Sequence, residues 1–176
     1  MSDTTPSHTA DRTVMMIGAC LLFLGGLLIG IPVGAPGAPI IGMAHTLGLL
    51  EAVFMLAFVA LRPLLRFSAV NAWLFCALTI VSFYCNFAGV CVTVLTGAGG
   101  GMFLPPWDAY LDNTPSPANA WVAFLLNTST IALILPLMLL VGWVDRFRQS
   151  EGLQRATTVV AMAGTIILLV WAYWFQ

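Results

Sequence analysis

Lysine is absent from this 176-residue sequence, and charge of either sign is scarce: six basic residues, all arginine, face seven acidic ones, and charged side chains make up 7% of the chain. Soluble domains carry about 25%. A chain this poor in charge cannot cover a water-facing surface, and with 60% hydrophobic residues it has the composition of a membrane protein. The net charge of −1 and the lack of a basic patch exclude nucleic acid as a partner. The four cysteines, Cys20, Cys76, Cys85 and Cys91, lie in apolar runs with no CxxC spacing and no neighbouring histidine. They read as small packed hydrophobes, with no disulfide framework or zinc site. The glycine run Gly97-Ala98-Gly99-Gly100-Gly101 lacks the Lys-Ser/Thr of a phosphate loop, which argues against nucleotide binding. It is expected to be a flexible helix end that lines or caps a pocket. The loop after it carries Trp107, Asp108, Tyr110 and Asp112 and reads as solvated. No internal repeat is visible, which weighs against a transporter built from inverted halves.

What is abundant is long apolar sequence. A helix needs roughly 20 apolar residues to cross a bilayer, and five segments qualify: Val14–Val33, Ile40–Leu61, Ala69–Leu95, Ala118–Val144 and Ala156–Phe175. Backbone groups in lipid must bond within their own segment, so each is expected to be a helix. The fold class is all-α, a polytopic transmembrane helical bundle. Its expected parts are a polar cytoplasmic tail over 1–13, a four-helix membrane domain over 14–144, a cytoplasmic loop over 145–155 and a fifth helix over 156–176. A last segment lying flat on the membrane is the alternative for that helix. Val33-Gly34-Ala35 makes a tolerable signal-peptidase site, but Pro36 follows it and the apolar run is too long, so the first span is taken as retained.

With five crossings, Arg12, Arg62, Arg66, Arg146, Arg148 and Arg155 all fall on one side, and the opposite loops contain none. The positive-inside rule places the N-terminus in the cytoplasm and the C-terminus outside. The expected location is a bacterial inner membrane. Trp73 and Trp143 fall near the inner boundary, and Trp107, Trp121, Trp171 and Trp174 near the outer one, as in aromatic belts.

Polar residues within the spans are the candidates for function. Glu51 is the sharpest, since a carboxyl inside a span is costly and faces a bundle interior or a wet cavity. Its structural reading is a hydrogen bond to a neighbouring helix; its functional reading is proton transfer or substrate binding. His45, the one histidine within the spans, lies about 9 Å shallower and about 120° around the same helix. It is an interfacial histidine bonded to a loop carbonyl, a general acid or base, or a metal ligand. A single histidine cannot build a bis-histidine haem, and one axial ligand leaves an iron face open for Lewis-acid chemistry. Ser82, Tyr84 and Asn86 on the third span and Asn127, Thr128, Ser129 and Thr130 on the fourth lie at similar depth, so three helices are expected to converge on a site. Gly26, Gly30 and Gly34 form a small-residue stripe for close helix approach, either within the chain or at a subunit interface.

These residues also form a pattern. Ala44-His45-Thr46-Leu47-Gly48-Leu49-Leu50-Glu51 resembles the Ala-His-x-x-Gly-x-x-Asn pattern of membrane hydroxylaminobenzene mutases, and the related styrene oxide isomerases share the histidine and the asparagine six residues on. Leu61-Arg62-Pro63 with Leu65-Arg66-Phe67-Ser68 resembles the segment that closes that helix. Tyr84-Cys85-Asn86 resembles the mutase Tyr-x-Asn, and Gly97-Ala98-Gly99-Gly100 with Met102 and Pro105 its glycine-rich loop. The similarity covers roughly the first four spans. Glu51 stands where the family has Asn, and Ala52 where it has Gly.

The resemblance implies a small helical bundle, a homo-oligomer and by the family's habit a trimer, that isomerises small apolar aromatic substrates reaching it through membrane lipid. It implies haem b with His45 as the axial iron ligand, Asn86 as a polar pocket residue and Tyr84 as the mutase tyrosine. Glu51 or Tyr84 is then expected to orient the intermediate or shuttle a proton. Two other readings stand beside it. One is a small transporter or channel with a Glu51/His45 proton relay. The other is a non-catalytic subunit docking through the glycine stripe.

Overall fold

The computed structural model describes residues 6–31, 38–103 and 107–174. Gly34, the Val33-Gly34-Ala35 stretch, Pro105, Phe175 and the first five tail residues lie outside them. Among the described residues the secondary structure is helical: α1 (Pro6–Gly30), α2 (Ala38–Leu61), α3 (Ala69–Thr96), α4 (Pro117–Ser129), α5 (Leu135–Arg148) and α6 (Glu151–Trp174), with short 3-10 turns at Arg62–Leu64, Trp107–Tyr110 and Thr130–Ile134. Five spans are long and apolar enough to cross a membrane, with α4 and α5 together making the fourth. This is the build of an integral membrane protein.

Helix α1 begins at Pro6, well before the apolar run, so residues 6–13 extend the helix. Proline suits a first helical turn, where its missing N–H has no partner to lose. The extension is tied down: Arg62 Nε, at the end of α2, donates to Asp11 Oδ2 at 3.2 Å, and both side chains are almost fully buried.

The tightest crossing is α1 on α2. A Cβ added at Gly26 would lie 3.0 Å from Leu49 N and 3.1 Å from Gly48 C, and one added at Gly48 would lie 2.9 Å from Gly26 Cα. Glycine faces glycine here, which is how membrane helices bring their backbones together. The two described glycines of the stripe therefore serve packing within the chain.

Helix α3 runs through the centre. Ser68 caps its start by accepting from Asn71 N, and Gly97 closes it in the left-handed region at φ 71°, its N–H bonded to Thr93 O at 2.8 Å. Phe75 meets Phe58 edge-on and Phe67 at a tilt in the core beside Met55 and Met138.

The fourth span is not one continuous helix. It breaks into a 3-10 turn at Thr130–Ile134 between α4 and α5. Pro136 cannot donate a backbone bond, and its ring crowds the carbonyl of Ala132 four residues back. Upstream, the hydroxyls of Thr128, Ser129 and Thr130 turn back onto the carbonyls of Phe124, Leu126 and Asn127 at 2.8, 2.6 and 2.7 Å. Such back-bonding loosens and bends a helix.

Helix α6 begins at Glu151, before the expected Ala156, and docks on the bundle rather than lying apart from it. Ala161 is buried, and Gly164 admits the Ile134 side chain. The ion pairs Asp11–Arg62 and Arg66–Asp145, with the bonds of Gln154 to Ser68 and Asp145, bring the arginine-bearing segments together at one end of the bundle.

Candidate functional site

His45 sits half-buried on the face of α2 that meets α1. Its Nδ1 lies 2.8 Å from the carbonyl of Gly26. A carbonyl oxygen only accepts, so Nδ1 is the donor, and in the neutral ring the lone pair is then on Nε2. Among the described residues Nε2 has no partner. Gly30 lies against the imidazole so closely that any Cβ there would overlap the ring. Gly30→Ala should therefore displace the imidazole and break the Gly26 contact, at a cost of about 1–3 kcal/mol. Thermal unfolding together with the His45 ring NMR signals checks both effects, and an unmoved ring signal would refute the contact.

Glu51 faces a different neighbour. It is 5% exposed, and Asn86 Nδ2 on α3 donates to its Oε1 at 2.8 Å. Its second oxygen, Oε2, is buried and has no hydrogen-bond partner. An unpaired buried carboxyl oxygen is costly and calls for an explanation. Glu51 and Asn86 are thus brought together as the depth argument expects, whereas His45 and Glu51 bond to different helices.

Tyr84 departs from that group. Two residues along a helix turn the side chain by about 200°, and its hydroxyl donates to the carbonyl of Gly18 on α1 at 2.9 Å. It ties α3 to α1 rather than joining Glu51. The expected convergence with the other polar residues is also corrected. Ser82 Oγ bonds to Thr79 O within α3, and Thr128, Ser129 and Thr130 donate to carbonyls of their own helix, with Thr128 Oγ1 also 2.7 Å from the Tyr173 hydroxyl on α6.

The glycine loop is knitted rather than flexible. Asn119 at the start of α4 accepts from Gly99 N through Oδ1 and donates through Nδ2 to the carbonyls of Asp112 and Thr114 at 3.2 and 2.6 Å. Gly101 N donates to Asp108, and Gly100 N to the carbonyl of Asp112. The backbone N–H and then the hydroxyl of Thr114 hold the exposed Asp112 carboxyl below the usual carboxylate range. The loop does border a cavity, as expected: about 370 Å³ between Gly101 and Met102 on one side and Ala123, Leu126 and Asn127 of α4 on the other. That volume falls in the range for small-molecule sites.

Sequence reasoning missed a polar knot at the arginine-bearing end. Asp145, fully buried, accepts from Arg66 Nη1 at 2.9 Å, Gln154 Nε2 at 2.8 Å and Ser150 N at 2.7 Å. Gln154 Oε1 accepts from Ser68 N and Asn71 Nδ2, and Thr158 donates to Asn71 Oδ1. The signal available was a pair of uncompensated amides, Asn71 and Gln154, at the first turns of two spans.

No family model matches the chain, and no curated protein or solved structure matches it.

Proposed function

We propose that this chain is a membrane-embedded isomerase that rearranges a small apolar aromatic substrate, an arylhydroxylamine or an aryl epoxide, with haem b held by His45. The observation that carries this reading is the anchored imidazole. Nδ1–H is committed to the Gly26 carbonyl, which fixes the ring and leaves Nε2 free as a ligand. Among the described residues no three His, Cys, Asp or Glu side chains gather to cage a bare ion. The donor set fits an iron already held by its porphyrin and needing one imidazole. When bound, the ferric centre supplies a Lewis acid for the substrate oxygen.

The chain's own residues do the rest. Gly26 and Gly30 hold the imidazole. Asn86 fixes one oxygen of Glu51, so that Oε2 holds or returns a proton at the reacting group. The surrounding apolar helices exclude water. An internal rearrangement needs no external electron donor, nucleotide or second substrate, which matches a chain with no other cofactor fingerprint. In this reading the protein lies in a bacterial inner membrane with its N-terminus and arginines in the cytoplasm, and it assembles as a homo-oligomer, a trimer by resemblance. The unpartnered Oε2 also favours a second reading, proton translocation through Glu51. The subunit reading loses support, because Gly26 and Gly30 already face α2.

The test is the visible spectrum of the protein purified in mild detergent, with and without His45→Ala. A Soret band lost or shifted in the variant is the expected result, followed by turnover of aryl epoxides or arylhydroxylamines. A protein that stays colourless after haem is added sinks the haem mechanism, and proton flux in liposomes then becomes the leading assay.

A further inference from the structure

A cavity lies away from His45 and Glu51, at the arginine-bearing end, where α3 and α6 begin. It holds about 600 Å³ and is bordered by Arg66, Phe67, Val70, Glu151, Arg155 and Val159, with Gln154 of the polar knot among its other lining residues. We infer that it is a binding site for one anionic phospholipid, whose phosphate sits between Arg66 and Arg155 and whose acyl chain runs along Val70 and Val159.

The charge argument starts with Arg66. A guanidinium has five N–H donors. Nη1 is anchored on Asp145 at 2.9 Å, the side chain remains 41% exposed, and its other nitrogens have no partner among the described residues. The group is held in place yet still has donors to offer, and planar donors of this kind suit phosphate oxygens. Asp145 cancels one charge, but it is fully buried and already accepts from Arg66, Gln154 and Ser150. Arg155 meets Glu151 at 3.5 Å with both side chains 84% exposed. A solvent-exposed pair of that length contributes little, so Arg155 can exchange it for a phosphate.

The apolar argument sets the ligand's other half. Val70 is exposed in the first turn of α3 and Val159 in the third turn of α6, and both helices are apolar enough to span a membrane. The cavity wall is thus continuous with the surface that faces lipid tails. A site with guanidinium donors at the membrane edge and exposed valines deeper in is amphipathic, and so is a phospholipid. A free phosphate would use the arginines and leave the valine wall without a role. Basic pockets between spans are a recurrent way of holding acidic lipid head groups.

The test uses the full chain, delipidated in detergent and given phosphatidylglycerol, phosphatidylcholine or inorganic phosphate, with native mass spectrometry and thermal unfolding as readouts. One phosphatidylglycerol per chain should be retained, with little phosphatidylcholine and no stabilisation by phosphate. Arg155→Glu should weaken phosphatidylglycerol binding at least about fivefold, the worth of one basic residue at an anionic surface. Val159→Trp should fill the cavity and remove binding without touching a charge. Both residues are exposed, so both variants should fold. Equal retention of the two lipids, or retention unchanged in both variants, overturns the proposal. Displacement of the lipid by millimolar phosphate reassigns the site to a free anion and also overturns it.

Discussion

Asp145→Leu should loosen the fifth span from the bundle and lower stability by about 3 kcal/mol. Removing one member of a buried ion pair costs about 3–5 kcal/mol when the partner is stranded. Arg66 is partly exposed and can rehydrate, which lowers that figure. The amide of Ser150 loses its acceptor, which adds about 1–3 kcal/mol if water does not reach it. Gln154 Nε2 keeps a second acceptor, the Arg66 carbonyl at 2.9 Å, and so is not orphaned. For a chain of this size, about 3 kcal/mol corresponds to a fall in melting temperature of roughly 6–12 °C. Asp145→Asn retains one carbonyl acceptor but sets its amide NH2 against a donor that now bonds to the other oxygen, so it should fall between the other two. Thermal unfolding in one detergent ranks the three proteins. Equal melting temperatures would show that apolar contacts alone hold α6.

The number of the spans was legible because hydropathy acts over about twenty residues at a time. The break at Thr130–Ile134 was written in Pro136 and in the Thr128-Ser129-Thr130 run, whose hydroxyls bond back to their own helix. The knot was not legible. Asn71 and Gln154 meet across 83 positions of chain, and no local period announces such a meeting. At the candidate site, depth was legible and direction was not. Glu51 and Asn86 sit at matching depths on α2 and α3, and they bond. Tyr84, two residues from Asn86, points to Gly18 on α1 because helix rotation decides which face meets which neighbour. The crossing of α1 on α2 explains the glycine stripe: a pattern of small residues shows that something comes close, and only the fold shows that it is Gly48 and His45.

Glu51→Gln should leave the protein folded and reduce turnover by about 10²- to 10⁴-fold, the usual contribution of a positioned acid or base. The substitution keeps shape and keeps an oxygen to accept from Asn86 Nδ2, so the 2.8 Å contact between α2 and α3 has no reason to break. What it removes is the capacity of the Oε2 position to take up or release a proton. A purely structural Glu51 predicts the reverse pattern. Oε2 is buried without a partner, so replacing the carboxyl with an amide would then change stability and leave turnover nearly intact. Measuring melting temperature, kcat and KM on one preparation separates the two, because loss of a proton-transfer group falls on kcat. Glu51→Asn sharpens the comparison, since it introduces the residue of the mutase pattern while shortening the side chain away from Asn86. If Glu51 has replaced the family's asparagine as a proton carrier, the Asn variant should be as slow as the Gln variant. If position 51 only needs a polar group beside Asn86, both variants should work, and the acid–base role assigned to Glu51 would fall.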